Sequence, residues 1–296
     1  MRRAALTVLF LVCACTVATG DATTSSPAEP GLDVPTTTPI IGATTTMPPT
    51  TTPTAIAITT VDAQARPDWL GTRLLALRPD GHGEIDETPP ELADRQFETL
   101  DLIPPPDSET FAWTAEPIPP DVLARSSWGD DCPVGLDQLI YLRMSHYGFD
   151  RRFHTGEMIV NSAVAEDVVG VFRKLHEARF PIEQMRVIAA EEIDAHPTGD
   201  FNDTTSFVCR PAVGSGAWSQ HAYGLAIDIN PFHNPYLKGD LVLPELASGY
   251  LDRDDVRPGM IVEGDVVTRA FDDIGWGWGG RWNSLDDWMH FSQSGR

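Results

Sequence analysis

The stretch Ser219-Gln220-His221-Ala222-Tyr223-Gly224-Leu225-Ala226-Ile227-Asp228 joins a polar turn to a short strand pattern. From Leu225 to Ile229 the side chains alternate, with Leu225, Ile227 and Ile229 on one side and Ala226 and Asp228 on the other. Asp228 thus sits on an otherwise apolar strand and should face inward. A buried carboxylate is costly unless it is hydrogen-bonded, paired or bound to a metal. Gly224 and Ala226 remove bulk beside it, which suits close approach of a ligand or of a second backbone. Taken alone, an aspartate accepting backbone hydrogen bonds explains this stretch as well as a ligand does.

A second element, Asp287-Trp288-Met289-His290, lies near the C-terminus. If it forms a helical turn, the i, i+3 spacing puts Asp287 and His290 on one face. For an isolated acid-x-x-His, a turn cap beside a core histidine is the simpler reading. Two histidines and one carboxylate, however, leave a fourth position open, as catalytic zinc requires. His176-Glu177 has no second histidine at the HExxH spacing, so that class of zinc peptidase is excluded.

Together, Ser219, His221, Gly224, Ala226, Asp228 and the later Asp287-x-x-His290 resemble the zinc D-alanyl-D-alanine carboxypeptidase family. That family includes L-alanyl-D-glutamate endopeptidases and shares its fold with hedgehog signalling domains. The pattern SxHxxGxAxD matches at every fixed position, and the resemblance extends from about Cys132 to Phe291. It implies an α+β fold, a small antiparallel sheet with flanking helices around a single zinc site. It implies one zinc ion held by His221, Asp228 and His290, with Asp287 as general base. Arg210 is then a catalytic and substrate-binding residue that stabilises an oxyanion or holds a substrate carboxylate, and Ser219 also contacts substrate. The implied substrate is a peptidoglycan stem peptide. Two departures matter: Asp287 stands where the carboxypeptidase branch has Glu, and Met289 where a Trp often precedes the histidine. Both lean toward the endopeptidase branch without choosing the bond. A non-catalytic zinc domain that binds wall peptide or a protein is the rival reading, and an intact base argues against it.

The rest of the chain sets the context. Of 296 residues, 42% are hydrophobic, enough for one packed domain with appendages. Residues 1–20 read as a signal peptide, with Arg2 and Arg3 before the short apolar run Ala4 to Val12. Val12-Cys13-Ala14-Cys15 also resembles a lipoprotein processing site with Cys15 as the lipidated residue, so release and lipid anchoring are both open. The protein is expected to be exported, to the extracellular space or cell envelope. Residues 21–60 are Thr/Pro-rich and nearly uncharged, a disordered stalk. Residues 61–118 read as an N-terminal extension packed on a zinc peptidase domain at 119–296. The formal net charge of −22 argues against nucleic-acid or anionic-membrane partners. A lipid anchor would be the only membrane contact, and oligomeric state is left open. Of four cysteines, Cys132 and Cys209 fall in the folded part, in no metal-ligand spacing, and suit a disulfide in an oxidising compartment.

Periodicity supplies the elements. Leu136 to Tyr147 predicts a helix, Asn161-Ser162 caps another that Pro181 ends, Met185 to Ala190 predicts a central strand, and Val266 to Ile274 a short helix. Trp276, Trp278 and Trp282 lie among Gly275, Gly277, Gly279 and Gly280, either lining a groove or packing as core. His82, His146, His154, His176, His196 and His233 show no ligand spacing to one another. Each reads as structural or surface, with His233 near enough in sequence to approach the site.

Overall fold

A long β-hairpin organises the chain. The computed structural model describes residues 64–296. The signal segment, Cys15 and the Thr/Pro tract therefore lie outside the described residues.

In chain order the strands and α-helices are β1 (Trp113–Glu116), α1 (Pro120–Arg125), β2 (Leu139–Tyr147), β3 (Phe153–Asn161), α2 (Ala165–Glu177), β4 (Gln184–Met185) and β5 (Asp203–Thr204). After these come β6 (Ala226–Asp228), β7 (Tyr236–Lys238), β8 (Leu241–Leu243), α3 (Val266–Asp272), β9 (Gly277–Trp278), β10 (Asp286–Asp287) and β11 (His290–Ser292). β1, β2 and β3 form one antiparallel sheet, β6, β11 and β9 a second, and β10, β7 and β8 a third, while β4 pairs with β5 in parallel. The protein is thus α+β, with small antiparallel sheets and few helices.

The helix predicted from Leu136 to Tyr147 is instead a single 3-10 turn, Leu136–Gln138, followed by β2, which pairs with β3 over its whole length. The reason is two-sided burial. Leu139, Tyr141, Leu142, Met144, Ser145 and His146 are all buried, so the strand reads as a near-continuous apolar run without period-2 alternation. The helix after Asn161 is present: the Asn161 side chain accepts from the Ala163 amide, a 3-10 turn follows, and α2 ends at Glu177 before Pro181. Its Val168, Phe172 and Leu175 pack on Leu142, Met144, Met158 and Val160 of the hairpin. Each such side chain contributes roughly 1.5–3 kcal/mol by burial.

The strand predicted over Met185 to Ala190 shrinks to Gln184–Met185. Its ladder stops because the Val187 amide turns to the Glu157 carboxylate. Arg186 meanwhile swings out to Asp203 and Glu192. α3 covers Val266–Asp272, close to its predicted extent.

Residues 64–100 carry few regular elements, yet they are anchored. Leu75, Leu92 and Phe97 are buried against Phe232, Val242, Leu246, Tyr250 and Met260. The Arg95 guanidinium donates two bonds to Glu183, at 2.7 and 2.9 Å, both side chains being buried. Asn202 donates a third to the same carboxylate at 2.7 Å. Burial works against the Glu183 charge, but Arg95 outweighs it and holds the carboxyl below its usual range. Cys132 and Cys209 form a disulfide spanning 77 residues.

Candidate metal centre

Three local structures bring His221, Asp228 and His290 together. β11 pairs antiparallel with β6 so that His290 lies opposite Asp228, Phe291 opposite Ile227 and Ser292 opposite Ala226. Directly opposed residues project from the same face of a sheet. Their neighbours Ile227 and Phe291 are wholly buried on the opposite face.

His221 comes from a 3-10 turn, Gln220–Tyr223, that precedes β6. The Ser219 hydroxyl caps this turn by accepting from the His221 amide. Gly224 closes it at φ 66°, and a Cβ there would lie 2.5 Å from the Asn161 nitrogen of β3. Only glycine meets both demands, which accounts for its place between His221 and Asp228.

The donor atoms converge. His221 Nε2 lies 3.1 Å from His290 Nδ1 and 3.2 Å from Asp228 Oδ2, and His290 Nδ1 lies 3.0 Å from Asp228 Oδ1. His221 Nδ1 is 2.6 Å from the Ser206 carbonyl, so it donates there and turns the Nε2 lone pair toward the other two groups. Tetrahedral zinc with bonds of about 2.0 Å would hold its ligands roughly 3.3 Å apart. These separations approach that edge length, and two imidazoles with one carboxylate are a zinc donor set. The group therefore fits a metal ion, and among the described residues it is the cluster with such geometry.

Burial raises the cost of charge on Asp228, but His221 and His290 outweigh it and keep the carboxyl far below its ordinary value. Asp287 behaves oppositely. Burial and the Asp228 charge push it up, His290 and Arg210 pull it back, and the result is about 7. Its Oδ1 is buried with no hydrogen-bond partner among the described residues.

Asp287 and His290 do not lie on a helical turn. They end β10 and begin β11, with Trp288 and Met289 turning between. Gly279 sits against this corner, where a Cβ would fall 2.5 Å from the Asp287 carbonyl oxygen. Tyr236 of β7 is paired with Asp287 in register, and burial together with the Asp287 charge raises its phenol pKa. Sequence patterns did not single out Tyr236 or the Ser206 carbonyl, and they named Gly279 only within the Gly/Trp-rich stretch, because each acts through a pairing visible only once the strands are placed.

Arg210 lines the same cleft as His221 and Asp228 and has no carboxylate partner among the described residues, donating only to the Pro211 carbonyl. His233 stays outside. It is buried against Phe149 and Tyr250, with one ring nitrogen 2.9 Å from the Arg95 carbonyl. Trp276 and Trp278 are core residues, Trp278 stacking near Phe291, while Trp282 packs 5.5 Å from His290.

Comparison with known proteins agrees on this region. Residues 213–293 match the family model described as D-alanyl-D-alanine carboxypeptidase, a span that holds His221, Asp228, Asp287 and His290 but not Arg210. The resemblance read from the motif is thereby supported over that span. No curated protein and no solved structure matches the chain. No helix among the described residues is long and apolar enough to cross a membrane.

Proposed function

We propose that the protein is a zinc-dependent peptidase that hydrolyses an amide bond in peptidoglycan stem peptides. The observation that carries this reading is the convergence of two imidazoles and a carboxylate beside a second carboxylate tuned to the opposite protonation behaviour. Paired acids with separated pKa values mark acid–base work. The family match over residues 213–293 supports the class of reaction.

His221, Asp228 and His290 would hold one zinc ion, which when bound polarises the scissile carbonyl and acidifies water. Asp287, the second carboxylate at the site, takes the proton from the attacking water and passes it to the leaving amine. Arg210, which forms no ion pair with a carboxylate among the described residues, balances negative charge on the substrate or in the transition state. Ser219 serves here as the cap that fixes the His221 turn. The Cys132–Cys209 disulfide fits an exported protein, because such bonds persist in oxidising compartments.

Defined muropeptides incubated with the protein, with new ends located by mass spectrometry, test the reading and locate the bond. Cleavage at a D-Ala-D-Ala or L-Ala-D-Glu bond supports it. Absence of any cleavage by zinc-loaded protein, or cleavage undiminished in Asp287→Ala, overturns it.

A further inference from the structure

The cleft at the metal-ligand group, about 950 Å³ in volume, reaches far beyond it. Its lining joins His221, Asp228 and Arg210 to Leu70, Leu74, Leu100 and Leu102, the leucines coming from a segment that precedes the family-matched residues altogether. Three of these leucines are unusually open, with Leu74 63%, Leu102 62% and Leu100 51% exposed. Large exposed aliphatic side chains gathered along one cleft mark a binding groove.

The charge along the cleft is uneven. Glu183, Glu192 and Asp203 are engaged by Arg95 and Arg186. Asp200 and Glu245 accept from the backbone amides of Gly71 and Gly83. Arg210, beside the metal ligands, keeps its charge without a carboxylate partner among the described residues. The wall built from residues 66–102 is meanwhile firmly seated through buried Leu92 and Phe97 and through the Arg95–Glu183 pair. It is a fixed surface on which exposed leucines are displayed.

An extended peptide fills roughly 160 Å³ per residue, taking strand spacing of about 4.8 Å, sheet spacing of about 10 Å and a rise of about 3.3 Å. The cleft thus has room for about six residues. Resting on the peptidase reading above, we infer that residues 66–102 form the distal wall of the substrate cleft and select an extended peptide of about four to six residues. That peptide presents an anionic group to Arg210 and uncharged, apolar groups to Leu74, Leu100 and Leu102. A substrate of two residues would occupy only the Arg210 end. Binding of the remote residues then adds to turnover, as remote contacts do when they orient the reacting bond.

The test is a series of peptides sharing one scissile bond and lengthened from two to six residues, assayed with the full zinc-loaded chain. Three proteins are compared: wild type, Leu74→Asp/Leu102→Asp, and Val256→Asp as an exposed apolar position that does not line the cleft. Wild type should gain about tenfold or more in kcat/KM from the shortest to the longest peptide. The double variant should lose most of that gain while hydrolysing the shortest peptide at the wild-type rate, and Val256→Asp should behave as wild type. No gain with length in wild type overturns the inference while leaving the peptidase reading intact, and so does an equal loss on short and long peptides. Failure of wild type to cleave any member of the series overturns the peptidase reading, and the inference with it.

Discussion

Asp287→Asn should make the metal-free protein more stable at alkaline pH while removing its activity. The Asp287 carboxyl sits at about 7 in the fold, raised by burial and by Asp228, against an ordinary value near 3.9 in an unfolded chain. Between those values the folded state keeps a proton that the unfolded state has released. Stability therefore falls as pH rises from about 4 and reaches its full deficit above about 7. Three units at roughly 1.4 kcal/mol each set an upper bound of about 4 kcal/mol, and relaxation around a half-buried side chain brings the expectation to about 2. Asparagine has the same shape and never pays the charge. Denaturant unfolding of chelator-treated wild type and variant at pH 5, 6, 7 and 8.5 reads the effect. The two curves should diverge with rising pH, the variant gaining about 2 kcal/mol by pH 8.5. With zinc restored, the variant should lose at least about 10²-fold in kcat, the scale of a lost general base. A stability difference that stays flat across the pH range would refute the reasoning, because Asp287 would then ionise as an ordinary surface acid.

Other expectations follow from single contacts. Gly224→Ala combines a positive φ with a backbone contact at 2.5 Å. It should cost about 3 kcal/mol in unfolding experiments and loosen His221 enough to lower metal affinity. Arg95→Ala removes the bidentate partner of the buried Glu183 carboxylate and leaves it only Asn202 and the longer Arg66 contact; it should destabilise by about 3 kcal/mol, read as a fall in the denaturation midpoint. Reducing the Cys132–Cys209 bond, or replacing both residues by Ser, releases a loop closed across 77 residues. The cost should be about 4 kcal/mol by the same measurement.

Much of the grouping of His221, Asp228 and His290 was legible in the sequence because its parts are local. Gly224 and Ala226 mark a place where another backbone comes close, and Asp228 a carboxylate out of place among apolar residues; the left-handed turn at Gly224 emerged only from the structure. The joint spacing with Asp287 and His290 then carries the family resemblance. The i, i+3 geometry assumed for Asp287 and His290 was not legible, since a two-residue turn between strands places the pair on neighbouring ladders as readily as one helical face would. β2 was misread for a different reason: a strand buried on both faces has no period to detect. The distal cleft wall was hidden because residues 66–102 have little regular structure, and their packing on Phe232 and Tyr250 joins positions far apart in the chain. Arg210 was legible as a residue type, while its freedom from any ion pair among the described residues required the neighbouring carboxylates to be placed first.

Zinc content per chain tests the central claim most directly. Protein purified in buffer containing trace zinc and then dialysed should carry about one zinc per chain by elemental mass spectrometry. Asp228→Ala, with a wild-type circular dichroism spectrum, should carry almost none. Wild-type protein that emerges without zinc, or an Asp228→Ala variant that retains the full amount, would contradict the assignment of His221, Asp228 and His290 as the metal centre.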